Sequence, residues 1–314
     1  MSNYHYLFGP VPSRRLGISL GVDLVPHKVC NLNCVYCDCG RTTQLTEERG
    51  EYIHIYRVLE ELKEFLKGKP VLDHTTFSGS GEPLLNKGIA GVLGFIKNHF
   101  PSYKTALLTN SALLTRKEVR AEVLPFDVIA PSLDAVSRDI YHKVNRPVPG
   151  IEPQAIVEAL CNLRREYKGA IWLEIFIVPG LNDTPQELDL LSKAAERIRP
   201  DKIHINTLDR PGAETWVRPL DAGQLAKVLG YFKRVKVEVV SPARLLQPGS
   251  GKAEQDLTDA ILALIKRRPC TLEDISAGMS SVPDAISPIL DALINAGRIE
   301  FKTEERGVFF RVKE

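Results

Sequence analysis

No stretch of this sequence approaches 18 consecutive apolar residues, which excludes a helical membrane span. The opening segment MSNYHYLFGPVPSRRLG lacks a basic region followed by an apolar one, so no secretory signal is expected and the protein is expected to be cytoplasmic. Charge is nearly balanced, at +2 overall, and argues neither for nor against a nucleic-acid partner. There is no internal repeat and no low-complexity tract. Cysteine is scarce: six residues in 314. A reducing compartment makes a disulfide framework improbable for them.

What cysteine there is lies close together. The segment CNLNCVYCDC, residues 30–39, holds four of the six, spaced C-x3-C-x2-C-x-C. Three thiolates at Cys30, Cys34 and Cys37 leave one position of a metal centre open; in a 4Fe–4S cluster, one iron then remains available for another ligand. A structural zinc ion is the competing reading, with Cys39 as the fourth ligand. The single-residue gap between Cys37 and Cys39 fits zinc poorly, and an extended backbone there would turn the two side chains to opposite faces.

From about residue 17 to 240, short apolar runs alternate with amphipathic stretches. Strands are predicted at 18–24, 74–80, 104–110, 126–133, 171–178, 202–207 and 235–240, several of them near-continuously apolar, as strands buried on both faces are. Helices are predicted over 52–67, from one face carrying Ile55, Val58, Leu59, Leu62, Phe65 and Leu66, and over 185–199, with Thr184 as N-cap and Pro185 at the first helical position. The alternation defines an α/β protein, read as a partial (β/α)6-type barrel, with a doubly wound sheet as the alternative.

The pattern changes after residue 240. Residues 241–252, SPARLLQPGSGK, read as a linker. Residues 253–314 follow the order of a winged helix-turn-helix. That order suggests DNA binding, but residues 251–314 hold nine Lys/Arg against eleven Asp/Glu, and the groove-facing helix, 283–298, carries Asp284 and Asp291 with Arg298 as its base. Phosphate contacts need cations, so recognition of a protein or peptide, or self-association, is favoured.

The first 240 residues resemble the radical S-adenosylmethionine (SAM) superfamily. The resemblance rests on CNLNCVYC with its aromatic before the third cysteine, on SGSGEP (78–83) at the second strand end, and on LTNSALL (108–114), SLDA (132–135) and IVPGLND (177–183) at later ones. The opening FGPVPSRRLGISLGVDLVPHKVCNLNCVYCDCGRT looks closest to iron–sulfur oxidoreductases related to tRNA wyosine-synthesis enzymes. The resemblance implies one 4Fe–4S cluster on Cys30, Cys34 and Cys37. It implies SAM held by Tyr36, Gly79, Ser80, Gly81, Glu82, Asn110, Ser132 and Asp134, and an external one-electron donor of flavodoxin or ferredoxin type. The implied activity is reductive cleavage of SAM to a 5′-deoxyadenosyl radical that modifies a substrate, expected to be a protein or peptide. A tRNA substrate, or an iron–sulfur sensor with a DNA-reading winged helix, is the alternative.

Other groups carry weaker signals. His204 and Asn206 share a face of the sixth strand, and Arg210 follows in LDRPGAE, so the three are candidate substrate contacts. Arg14 and Arg15 are candidate anion contacts, as is the basic stretch YHKVNRP (141–147). Cys161 reads as core. With Cys39, Cys161 and Cys270 left over and scattered, no auxiliary cluster is expected, which separates this chain from wyosine-synthesis enzymes with a second cluster.

Overall fold

The computed structural model describes residues 4–13, 15–240, 254–279, 281–304 and 306–313. The predicted linker 241–252 and Arg14 lie outside the described residues.

The chain opens with a hairpin, β1 (Leu7–Ser13) antiparallel to β2 (Gly17–Val22). A long segment follows, containing the paired two-residue strands β3 (Val29–Cys30) and β4 (Gln44–Leu45). Helices and strands then alternate: α1 (Ile55–Lys67), β5 (His74–Phe77), α2 (Ile89–His99), β6 (Thr105–Thr109), α3 (Lys117–Val123), β7 (Val128–Pro131), α4 (Arg138–Val144), α5 (Pro153–Glu166), β8 (Ala170–Phe176), α6 (Pro185–Ile198), β9 (Lys202–Asn206), α7 (Ala222–Leu229) and β10 (Val237–Val239). The sheet runs β1-β2-β5-β6-β7-β8-β9-β10, parallel throughout apart from β1.

Consecutive strands are neighbours and the order never reverses. A doubly wound sheet needs a reversal, at its switch point; this one curls instead into a partial barrel. Its strands are buried because helices cover the outside: β7 is buried at all four residues and β5 at three of four. The helices are amphipathic for the same reason. Val58, Leu62 and Leu66 make the inward stripe of α1, and α6 starts on Thr184, whose side chain accepts from the Glu187 amide, with Pro185 in its first turn.

All seven expected strands are present. The eighth, β1, was not expected, because PVP within it reads as a break; an edge position makes those prolines tolerable.

Residues 254–313 add α8 (Glu254–Arg267), β11 (Cys270–Thr271), α9 (Leu272–Met279), α10 (Pro283–Asn295), β12 (Ile299–Glu304) and β13 (Gly307–Val312), with strand order β11-β13-β12. Ile261, Ile275, Ile286 and Leu290 form a separate core, which also takes in Val11 of β1. The unit therefore sits on one edge of the open sheet. It also reaches the loop after β9, near the other edge, where Arg306 pairs with Asp209 and Arg210 lies 3.2 Å from Asp274. Among the described residues no helix is long and apolar enough to cross a membrane.

Candidate functional site

The carboxyl ends of the parallel strands converge on the cysteine segment. That segment is held from two sides. The amides of Asn33 and Val35 donate to the carbonyls of Asn145 (2.9 Å) and Val144 (2.9 Å) at the end of α4. Thr42 Oγ1 donates to the Leu32 carbonyl (2.6 Å), and β3 pairs with β4. A long loop anchored this closely is positioned before any ligand arrives.

Each of the three motif sulfurs faces its own N–H donor. Lys28 Nζ lies 3.0 Å from Cys37 Sγ, Asn145 Nδ2 lies 3.4 Å from Cys34 Sγ, and Asn110 Nδ2 lies 3.6 Å from Cys30 Sγ. Burial, with Glu82 nearby, pushes the Cys30 thiol up to about 12. Burial and then Asp134 raise Cys34 as well. Cys37 goes the other way: a hydrogen bond from Cys39, reinforced by the Lys28 charge, pulls it below the ordinary thiol value. Burial opposes the charge on Lys28, but the Cys37 sulfur outweighs it and holds that lysine protonated.

Cys37 and Cys39 do not point to opposite faces. The backbone turns there, with the Gly40 amide donating to the Cys37 carbonyl (3.1 Å) and Gly40 at φ 84°. Cys37, Asp38 and Cys39 consequently bring their ligand atoms within 4.8 Å of one another.

A cavity of about 210 Å³ opens beside Cys37. Of the expected residues, Arg15, Tyr36, Cys37, Ser132, Asp134, Asn206 and Arg210 line it. Tyr36 stacks flat on Phe176 at 3.8 Å between ring centroids and donates its hydroxyl to Asp134 (2.5 Å). Asp134 also accepts from Asn145 Nδ2 (2.6 Å) and the Phe176 amide (2.8 Å). Burial raises its pKa against the pull of these donors.

Glu82 lies on the Cys30 side. It accepts from Thr109 Oγ1 (2.8 Å), the Asn110 amide (2.8 Å) and the Leu84 amide (3.1 Å). Burial still raises it to about 7. Asn110 does double duty: Oδ1 accepts from the Ala112 amide (3.1 Å), while Nδ2 faces Cys30 and Asn31. Gly79 and Gly81 serve the protein's own packing, since a Cβ would fall 2.1 Å from Asp23 Oδ1 and 2.1 Å from the Val29 carbonyl. Ser80 likewise faces Asp23, at 3.4 Å.

His204 does not line the cavity. It is 1% exposed, with Nε2 3.3 Å from Glu238 and Nδ1 3.8 Å from Glu174. The stretch 141–147 is not a free basic loop: its first residues close α4, and Arg146 pairs with Glu214 at 2.5 Å. Cys161 is buried on α5 as expected. Lys28, Phe176 and Glu174 were not singled out from the sequence. A lysine two residues before the first cysteine, at the start of an apolar pair, was the available signal for Lys28.

The partial barrel thus gathers three thiols beside a cavity at its strand ends. Residues 24–191 match the family described as the radical SAM superfamily, and the chain belongs to that superfamily. A protein of Brachyspira hyodysenteriae named GTPase Obg is 31% identical over 294 residues, covering 93% of this chain and 43% of that protein, so the chain spans less than half of it. A UPF0026 protein of Methanocaldococcus jannaschii is 29% identical over 312 residues, covering 98% of this chain and 95% of that one. The crystal structure of a radical SAM methyltransferase from Sphaerobacter thermophilus matches in fold, with a TM-score of 0.52 at 16% identity over 70% of this chain and 65% of that chain.

Members of the superfamily bind a 4Fe–4S cluster and SAM, and the residues present fit both. The three motif thiols are not gathered as tightly as ligands of one ion, whereas a cluster spreads its thiolates over separate irons. Beside them Asn31 Nδ2 and Asn145 Oδ1 are buried without a hydrogen-bond partner, as polar atoms facing a ligand are.

Proposed function

We propose that the chain is an enzyme that uses one 4Fe–4S cluster and SAM to modify a protein or peptide. The observation that carries the reading is the set of three thiols, each facing an N–H donor, beside a cavity at the carboxyl ends of parallel strands. Bound together, cluster and SAM supply a 5′-deoxyadenosyl radical that takes hydrogen from an unreactive C–H bond.

The chain's own residues bind and orient. Cys30, Cys34 and Cys37 would hold three irons and leave the fourth to the amino and carboxylate groups of SAM. Glu82 is a carboxylate placed to meet an ammonium, whose charge would offset the cost of ionising it in its buried site. Tyr36, fixed between Phe176 and Asp134, offers an aromatic edge to the adenine, and Ser132 a hydroxyl to the ribose. An external flavodoxin- or ferredoxin-type protein would deliver the electron.

A macromolecular substrate is favoured by the C-terminal unit, which has the element order of a winged helix and reaches the loop beside the cavity. Its acidic balance favours a protein over DNA or tRNA. The test is turnover: anaerobic protein with dithionite and SAM should form 5′-deoxyadenosine, and more of it when the substrate is present. No 5′-deoxyadenosine would overturn the enzymatic reading.

A further inference from the structure

Where the C-terminal unit meets the open barrel there is a second cavity, of about 80 Å³. Three arginines line it, from three distant parts of the chain: Arg15 from the β1–β2 turn, Arg210 from the loop after β9, and Arg268 from the end of α8. Ser13, Thr76 and Ser78 add hydroxyls, and no carboxylate among the described residues lines it. Arg15 and Arg210 also line the larger cavity beside Cys37, so they form the wall between the two.

Two of the three guanidiniums are held in place from behind. Arg15 Nη1 lies 2.5 Å from Glu174, and Arg210 Nη2 lies 3.2 Å from Asp274, with Asp38 4.0 Å from its Nη1. Those pairs use the terminal nitrogens. The Nε of Arg15 and the Nε of Arg210 are both buried with no hydrogen-bond partner, and Arg210 is only 8% exposed. No carboxylate among the described residues pairs with Arg268. Buried donors left unpaired are costly, and like charges around one small space repel. Natural structures retain such groups where something else satisfies them. The guanidinium fork fits the oxygens of carboxylates and phosphates, and the space exceeds one water's share of about 30 Å³.

We propose that this cavity seats an oxyanion of the substrate, a carboxylate or a phosphate, while the part to be modified lies across the Arg15–Arg210 wall in the larger cavity. The inference rests on reading the larger cavity as the substrate site. It makes the C-terminal unit part of that site, because Arg268 completes the anion seat.

The test uses the 314-residue chain without iron, titrated by calorimetry with inorganic phosphate and separately with acetate, sodium chloride holding ionic strength constant. Saturable binding of one anion is expected: phosphate alone assigns a phosphoryl group, acetate alone a carboxylate. Arg268→Gln should weaken that binding about tenfold or more, and Arg268→Lys should restore part of it. No saturable binding of either anion by the wild type overturns the proposal, as does unchanged binding by a folded Arg268→Gln protein. If Arg268→Gln fails to fold, the wild-type titration decides alone. The measurement is independent of the cluster. Failed anion binding in a protein that still cleaves SAM sinks this inference only; anion binding by a protein that never cleaves SAM sinks the enzymatic reading only.

Discussion

The ammonium of Lys28 lies 3.0 Å from the sulfur of Cys37. The lysine is 3% exposed, and its backbone sits in the left-handed region at φ 59°, a conformation a side-chain-bearing residue adopts at a cost. A buried cation on a cluster ligand stabilises the reduced, more negative cluster, so it raises the reduction potential. Lys28→Met should lower the midpoint potential of the reconstituted cluster by about 65–130 mV, the equivalent of one charge-assisted hydrogen bond for a one-electron couple. Lys28→Arg should recover part of it. A redox titration followed by electron paramagnetic resonance reads the shift; an unchanged potential contradicts the assignment.

The proposed ligand set is Cys30, Cys34 and Cys37, each of whose sulfurs faces an N–H donor. Alanine at any of the three should abolish iron retention and the brown absorbance. Cys39→Ala should keep about four irons per chain. Iron loss in the Cys39 variant equal to that of the others would place Cys39 among the ligands.

Glu82 gives a stability signature in the iron-free protein. Burial raises its folded pKa from 4.5 to about 7. Between those values the folded state holds a proton that the unfolded state has released, so stability falls as pH rises through that window and stays lower above it. The loss attributable to this group is about 3 kcal/mol. Glu82→Gln should flatten the dependence, as judged by urea unfolding at pH 5 and pH 8. An identical slope in the variant would remove Glu82 as its source.

The link between the barrel and the C-terminal unit passes through Asp274, which meets both Arg210 and Arg306 and is held below the usual carboxylate range chiefly by Arg210, against the opposing effect of burial. Asp274→Ala strands a buried guanidinium and should cost about 3–5 kcal/mol. Amide exchange should quicken in both Leu272–Met279 and Leu7–Ser13, since α9 packs on β1 near Val11. Faster exchange confined to α9 would show that the two do not open together.

The barrel strands were legible because a parallel strand covered on both faces must be apolar along its length, and the cysteine site because its spacing lies within eight residues of one loop. The β1 strand was not, since its prolines signal a break and only its edge position permits them. The turn that brings Cys39 back toward Cys37 depends on one left-handed glycine, Gly40, and period-two reasoning about an extended chain missed it. The donors were harder still: Asn145 stands 111 residues from Cys34, and Asn110 stands 80 from Cys30. Their roles exist only once strands β6 and β7 and helix α4 are placed. Asp134 accepts from Tyr36, Asn145 and the Phe176 amide, and so fixes Tyr36 and Asn145 through contacts 98, 11 and 42 residues apart that no local pattern announces.

The central claim is that CNLNCVYC holds a cluster with one iron open to SAM. Protein purified without oxygen should be analysed for iron, sulfide and zinc, reduced with dithionite, and examined by electron paramagnetic resonance with and without SAM. The account predicts about four irons and four sulfides per chain and a signal that changes when SAM is added. One zinc with no iron, or a cluster whose signal does not respond to SAM, would contradict it.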